Sequence, residues 1–240
     1  MAGAIEAELR ALGTPARAEG ERRYLKSDLE FVGAAVGQIR RTVAAFVART
    51  PELRRRDAME LARALWSAPI HERRMAATLV LEAAADRLVP ADLPTIERFI
   101  LDSRTWALVD GLAVDVAGTL LVHHPEAAGR LDRWASHPDF WLRRAALLAQ
   151  IRPLQHGADF GGFARHAEAM LDEREFFIRK AIGWVLREVS KTRPDEVWAW
   201  IAPRAGMASG VTVREAAKYL GAERGGALLA ANRERRPAVP

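Results

Sequence analysis

The residues best suited to chemistry are an indole and a carboxylate, Trp106 and Asp110, which lie four positions apart. On a helix this spacing places both side chains on one face. Equivalent positions elsewhere in the chain hold the small residues Ala145 and Ala181, and burying a carboxylate costs free energy of desolvation. The pattern leaves two explanations open: Asp110 serves a reaction, or it pairs with a neighbouring arginine such as Arg144.

A second indole, Trp184, follows Lys180 by one helical turn and precedes Arg187. Tryptophan at helical spacing is most often core packing. However, the preceding Gly183 has no side chain and so makes the helix narrower beside Trp184. The two flanking cations also favour a position of Trp184 that faces a groove. Trp184 is therefore a second candidate site residue, with a role in the core as the alternative.

These candidates belong to an internal repeat. Residues 140–146 and 176–182 share the order aromatic, aliphatic, basic, basic, small, with Arg143 and Arg179 separated by 36 positions. Residues 213–217 continue the frame, with Arg214 35 positions after Arg179. Residues 72–76 also fit it, with Arg73 70 positions before Arg143. Trp106 also keeps the frame, but its repeat lacks the basic pair and carries Asp110 instead. A period in the middle thirties is typical of stacked helix pairs.

The rest of the chain supports that architecture. Apolar residues recur at three- and four-residue spacing in residues 57–68, 72–88 and 174–189, and prolines divide the helical segments. We predict an all-α fold, a HEAT-like (ARM-type) right-handed solenoid of antiparallel helix pairs. It is expected to form one domain over residues 1–240, with residues 224–240 as a flexible tail.

Stacking would place the basic residues of successive repeats side by side. This predicted row lines the concave face and consists of Arg73, Arg74, Arg143, Arg144, Arg179, Lys180 and Arg214. The alternative is that each arginine pairs with a nearby carboxylate, as Glu72 and Glu215 would allow.

Composition points the same way. The net charge is +5 and nearly all of the positive charge is arginine, which suits a polyanionic partner, although a GC-rich genome also produces arginine-rich chains. The sequence has no cysteine, which excludes disulfides, thiolate metal sites and a cysteine nucleophile. No signal peptide is apparent, and no apolar stretch approaches the length needed to span a bilayer. We expect a cytoplasmic protein without cofactor or metal and without membrane association.

Three motifs resemble the AlkD-type bacterial DNA alkylation-repair glycosylases. They are residues 106–110, 141–146 and 176–188, and residues 23–26 with 31–33 look like the opening motif of that family. The resemblance covers roughly residues 22–220. The chain departs from it at Gly37, where family members usually carry a proline.

The resemblance implies a function. Members of this family hold duplex DNA in the concave face of the solenoid and cut the N-glycosidic bond of cationic alkylated purines, chiefly 7-methylguanine and 3-methyladenine, while the base stays stacked. By the same resemblance Trp106, Asp110 and Trp184 are the catalytic residues, Arg144 binds in the groove, and Tyr24 lies near the lesion. The further DNA-binding residues that we expect are Arg143, Arg179, Lys180, Arg187 and Arg214.

Physical reasoning agrees with these roles. A cationic base leaves readily, so positive charge develops on the deoxyribose, and a fixed carboxylate with two aromatic faces would stabilise it. We therefore expect a monomeric enzyme acting on duplex DNA that contains alkylated bases. Two alternatives remain: a non-catalytic HEAT-repeat protein that binds distorted or branched DNA, and a protein-interaction scaffold. Neither alternative needs Asp110.

Overall fold

A computed structural model describes residues 1–51 and 53–234 and divides the chain into two compact units, residues 1–123 and the remainder from His124 onward. Each unit is described by itself. In the described residues all regular structure is helical, apart from a single parallel bridge between Glu30 and Ile70.

Unit 1 consists of helix pairs joined by short turns. Its helices are α1 (Ala2–Leu12), α2 (Pro15–Leu25), α3 (Val36–Ala48), α4 (Arg55–Trp66), α5 (His71–Ala83), α6 (Leu93–Ser103), α7 (Trp106–Gly111) and α8 (Gly118–His123). A π-helical segment, Leu112–Ala117, joins α7 to α8 without a break.

Unit 2 has the same construction. Its helices are α9 (Arg130–Ala135), α10 (Phe140–Leu148), α11 (Ile151–Gln155), α12 (Phe160–Ala169), α13 (Phe176–Ser190), α14 (Pro194–Ile201), α15 (Gly210–Ala216) and α16 (Ala222–Glu234).

The repeat motif begins a helix in every case, at the start of α5, α7, α10, α13 and α15. These helices stack on one another within each unit: α5 packs between α3 and α7, and α13 packs between α10 and α15. Their apolar faces are fully buried, as at Leu108 and Ile178, and each such leucine or isoleucine contributes about 2 kcal/mol on burial. The predicted all-α fold of stacked helix pairs is confirmed.

Local sequence explains where the motif helices begin. Asp139 accepts hydrogen bonds from the backbone N–H groups of Trp141 and Leu142, at 2.8 and 3.3 Å, and so caps α10. Ser209 caps α15 in the same way through Thr212 N–H. A side-chain cap of this kind contributes about 1 kcal/mol, so in these two motifs the capping residue fixes the point at which the helix begins.

One helical stretch differs from the sequence-based expectation. The continuous stretch Trp106–His123 is long and apolar enough, by length and composition alone, to cross a membrane. More than half of it is buried within the protein, with Leu112 and Val116 fully inaccessible to solvent. Its apolar character is therefore accounted for by core packing.

Three further details refine the sequence analysis. The predicted tail begins in a helix, because α16 continues to Glu234, and residues 235–240 lie outside the described part of the chain. Gly37 lies in the first turn of α3, so the missing proline does not prevent that helix from forming. The single domain over residues 1–240 remains a prediction.

Candidate functional site

The indole and the carboxylate singled out by the sequence both lie on α7. Trp106 is its first residue and Asp110 follows one turn later, so the two side chains share a face. Both are half-buried, whereas Leu108 and Val109 between them are completely buried. The helix therefore anchors itself through its aliphatic side and presents the indole and the carboxylate at its partly open side.

Tyr24 joins this face from another helix. It lies near the end of α2, its side chain is 72% exposed, and its ring meets that of Trp106 edge to face with 6.0 Å between centroids. The structure thus brings Tyr24 to the helix face of Trp106 and Asp110, although Tyr24 lies 82 positions before Trp106. We call these three residues the α7 face.

Close packing fixes the position of α7. A Cβ atom at Gly111 would lie 3.0 Å from the methyl group of Thr78 on α5, so glycine lets the two helices approach closely. Directly after Gly111 the backbone changes to the π-helical segment Leu112–Ala117. Such segments are rare and are frequent at functional sites, and this one sets the rotation of α7 relative to the helix that follows.

In unit 2, Trp184 lies on α13 and is half-buried. The neighbouring Gly183 is fully enclosed: a Cβ there would come within 2.8 Å of the Glu215 Cβ and 3.0 Å of Thr212 on α15. The role of Gly183 is therefore to let α13 and α15 pack closely, and this contact fixes the rotation of the helix that carries Trp184.

In the motifs of α5, α10 and α13, the first basic residue folds back on the segment before its helix. Arg73 donates to the carbonyl oxygens of Ala64 and Leu65, Arg143 to those of His137 and Pro138, and Arg179 to that of Glu173. Arg143 also forms a two-pronged ion pair with the Glu173 carboxylate at 2.8–2.9 Å. These guanidinium groups tie the turn to its helix, a contribution that the sequence analysis did not anticipate.

The second basic residue reaches forward to the next repeat in two cases. Arg74 donates to the carbonyl oxygen of Asp102 at 2.7 Å, and Arg144 donates to that of Phe177 at 2.6 Å. Arg144 is only 2% exposed and its guanidinium lies 5.7 Å from the Phe177 ring centroid. Part of the predicted row therefore also holds successive repeats together.

The remaining cations of the predicted DNA-binding set differ in their solvent exposure and in their ion pairs. Lys180 and Arg214 are exposed, with Lys180 above the Phe176 ring at 6.0 Å. Arg187 forms ion pairs with Glu188 and Glu215. Burial would raise the pKa of Glu215, but hydrogen bonds and charges from Lys218 and Arg187 together lower it. Lys180 and Arg214 are thus the exposed cations of the predicted DNA-binding set.

Glu72 has a role other than the predicted pairing with arginine. It is completely buried and accepts hydrogen bonds from the backbone N–H groups of Val32 and Gly33, at 3.1 and 2.6 Å. Burial raises its pKa. Gly33 has φ +82°, and a side chain there would collide with the Thr14 carbonyl oxygen. The motif at residues 31–33 therefore fastens the start of the chain to α5.

His71, next to Glu72, is a second buried polar group, and no sequence pattern singled it out. It is 3% exposed and stacks on the Phe31 ring at 4.8 Å, and its Nδ1 has no hydrogen-bond partner in the described residues. Desolvation by burial lowers its pKa to about 4. No group of three or more metal-ligating side chains occurs in the part of the chain that the structure describes.

Comparison with known proteins places this geometry in context. The family described as DNA alkylation repair enzyme matches residues 5–220. No curated protein sequence in the comparison matches the chain. Among solved structures, one titled as a predicted DNA alkylation repair enzyme from Enterococcus faecalis is similar, with a TM-score of 0.74, 22% identity and coverage of 87% of this chain and 97% of that one.

A crystal structure of AlkD2 from Streptococcus mutans is also similar, with a TM-score of 0.60, 16% identity and coverage of 85% of this chain and 100% of that one. At these identities the likeness shows a common fold. The family match covers most of the chain and includes Tyr24, the α7 motif and the α13 motif with Trp184. The chain belongs to the DNA alkylation repair enzyme family.

Proposed function

We propose that this protein is a DNA glycosylase that removes positively charged alkylated purines, such as 7-methylguanine and 3-methyladenine, from duplex DNA. Its role in the repair of alkylated DNA follows from its family. The observation that carries the finer proposal is the α7 face, where Asp110 and Trp106 share one side of a helix and Tyr24 extends it. A carboxylate has no use in binding phosphate but has a use in stabilising a cation.

The reaction breaks the bond between C1′ of deoxyribose and the purine nitrogen, and the base leaves with the electron pair. Because the base already carries a positive charge, it needs no general acid. Positive charge passes to the sugar in the transition state, where the Asp110 carboxylate and the electron-rich face of Trp106 stabilise it. Trp184 stays a predicted catalytic residue on the resemblance of its motif alone. Water then adds to C1′ and releases its proton to solvent, and we assign to Asp110 the orientation of that water.

Binding to DNA depends on cations that remain exposed. Lys180 and Arg214 supply these in unit 2, and contacts with phosphate carry no base information. Arg143, Arg144 and Arg179 donate to groups of the protein itself, so their proposed part in DNA binding is through the electrostatic field and through the helices that they hold. Affinity should therefore depend on salt and little on sequence.

A non-catalytic role in binding distorted or branched DNA is less well supported. Such a protein gains affinity for DNA from every exposed cation, yet several arginines of the repeat donate to carbonyl oxygens of the protein itself. It also loses affinity through a carboxylate near phosphate, and charge-based binding does not need the aromatic residue Trp106 that shares a helix face with Asp110. The inward-turned arginines are accounted for by the hydrogen bonds that hold the helices, and Asp110 is the feature that favours a reaction passing through a cation.

The test is direct. Purified protein is incubated with a duplex that contains one 7-methylguanine, and the free base is measured by chromatography with mass detection. Release that exceeds spontaneous depurination, with the abasic strand formed in equal amount, would support the proposal. DNA binding without any release from either 7-methylguanine or 3-methyladenine substrates would overturn it in favour of the non-catalytic role.

A further inference from the structure

Helix α2, which carries Tyr24, is held in its place in an unusual way. None of its side chains is buried, and most of them are exposed to solvent. The neighbouring helix α1 instead buries Ile5 and Leu9 and packs against α3 and α5. Because most helices in proteins are stabilised by the packing of an apolar face, α2 needs another attachment to stay beside the α7 face.

The segment of residues 30–33 supplies that attachment at the beginning of α2. Thr14, whose side chain caps α2, donates through its backbone N–H to the Gly33 carbonyl oxygen at 3.2 Å. The two backbones touch, since a Cβ atom at Gly13 would lie 2.0 Å from the Val32 carbonyl oxygen. The position of this segment therefore determines where α2 begins.

Two different kinds of contact hold the 30–33 segment against α5. Backbone hydrogen bonds hold its first residue, Glu30, which forms the parallel bridge with Ile70 just before α5. The side chain of Glu72 holds its last two residues, because one carboxylate oxygen accepts from each of their backbone N–H groups. Glu72 thus holds the part of the segment that touches the start of α2.

A carboxylate suits this task better than an amide of the same size. An ionised carboxylate only accepts hydrogen bonds, so each oxygen of Glu72 can take one of the two converging N–H groups. Glutamine would turn its own N–H2 group toward one of these donors and leave that donor unsatisfied. Burying the Glu72 side chain completely costs free energy of desolvation, and the two hydrogen bonds to the backbone offset that cost.

We propose that Glu72 is a positioning residue, which holds the start of α2 and thereby keeps Tyr24 against Trp106 at the α7 face. The proposal rests on the proposed function for the reaction that this face serves, whereas the hold on α2 is independent of catalysis. The Tyr24 side chain is 72% exposed and meets Trp106 only edge to face. The position of its ring is therefore decided by the helix that carries it, and that helix is held at its start through Glu72.

Hydrogen exchange of the full chain without DNA, measured by mass spectrometry, tests the hold on α2. In Glu72→Gln the amides of residues 15–25 should exchange about tenfold faster, because a buried hydrogen bond that fastens them is lost. The amides of α1, residues 2–12, should keep their rate. Glu82→Gln, on the same helix and paired with Arg40, is the matched control and should leave α2 unchanged. Faster exchange throughout unit 1 would show a general structural role and overturn the proposal.

Single-turnover release of 7-methylguanine measures the effect on the reaction. Glu72→Gln should slow release by about tenfold, since a displacement of about 1 Å near the reacting atoms already costs that much or more. The variant that combines Glu72→Gln with Tyr24→Ala should be no slower than Tyr24→Ala alone, because two residues that act through one contact are not additive.

The outcomes separate this proposal from the proposed function. If Glu72→Gln slows release by the same factor with or without Tyr24, Glu72 acts elsewhere and the proposal is wrong. A wild-type rate of release in Glu72→Gln, despite faster exchange of α2, would also contradict it. If the wild-type protein releases no base, the glycosylase fails, and the exchange pattern alone decides whether Glu72 holds α2. Gly13→Ala, whose methyl group would push the start of α2 away from Val32, should give the same two effects and decides if Glu72→Gln does not fold.

Discussion

The repeat that begins α7 in unit 1 and the repeats that begin α10 and α13 in unit 2 share one sequence frame but use it in opposite ways. In unit 2 the first basic positions, Arg143 and Arg179, turn inward to hold the preceding turn. In α7 the equivalent of Arg143 is Leu108, which is completely buried. The α7 repeat is thus anchored by aliphatic packing and close helix contact, without a basic pair.

This difference teaches that a row of arginines on a repeat need not be a binding surface. The basic pair mainly supplies hydrogen bonds between helices, and such bonds to charged groups contribute about 1.5–3 kcal/mol each. The specialised repeat is recognised by the absence of this pair and by the carboxylate that appears beside it. The repeat that breaks the pattern is where we place the chemistry.

The largest effect is expected for Asp110→Asn. The substitution removes the charge from the α7 face and keeps the shape, so release of 7-methylguanine should fall by about a hundredfold or more while DNA affinity is unchanged or slightly higher. Single-turnover base release and fluorescence anisotropy measure the two quantities. Asp115→Asn, farther along the same continuous helix, is the control and should remain active.

A wild-type rate in Asp110→Asn would remove the proposed distinction between the α7 repeat and the others. Loss of both DNA binding and folding would show instead that Asp110 is a structural partner within the protein.

The two units should also differ in acid stability. His71 in unit 1 has a folded pKa of about 4, below its ordinary 6.5 because of burial, whereas His166 in unit 2 lies 2.8 Å from an Asp132 carboxylate oxygen. The unfolded chain binds a proton at position 71 below about pH 6.5 and the folded chain does not. The stability from neutral His71 is therefore complete above pH 6.5 and is lost as the pH falls toward 4, in total about 3 kcal/mol.

His71→Phe preserves the stacking on Phe31 and should remove that part of the pH dependence. Urea unfolding at pH 7 and pH 4.5 measures it, with His123→Gln as the exposed control. An equal loss of stability on acidification in wild type and His71→Phe would contradict the assignment.

The third prediction distinguishes arginines that bond within the protein from exposed cations, both in unit 2. Arg143→Ala should lower the free energy of unfolding by about 2 kcal/mol, because it leaves the Glu173 carboxylate without its partner. Lys180→Ala should leave stability unchanged and weaken binding to all duplex sequences alike, reducing the salt slope by about one if it contacts a phosphate. Denaturant titration and salt-dependent anisotropy give both values, and the reverse pattern would show that the repeat arginines form the binding surface.

The smallest effect concerns the two indoles. Trp106→Ala and Trp184→Ala should each slow excision by about tenfold, because each ring supplies only part of the stabilisation of the cation. Trp106→Phe should recover part of the loss in unit 1. Retention of the full rate in Trp184→Ala would confine the reaction to the α7 face and assign Trp184 to the packing of α13.

The repeat period, the helical structure and the occurrence of a carboxylate, Asp110, at a position that other repeats fill with alanine could all be predicted from the sequence. Local rules sufficed for these, because capping residues such as Asp139 and Ser209 set where helices begin, and a missing basic pair is visible without coordinates. The direction of the arginines could not be predicted in this way, since a guanidinium can reach either solvent or a carbonyl oxygen several ångströms away.

By itself, the sequence determined that the chain is a stack of helix pairs with one exceptional repeat. Only the tertiary structure decided that Tyr24 meets Trp106 and that Glu72 binds the backbone of residues 32 and 33. The physical reason is that helix periodicity depends on neighbours three and four residues apart, whereas these contacts join segments 39 to 82 positions apart and depend on how closely glycines such as Gly111 let helices pack.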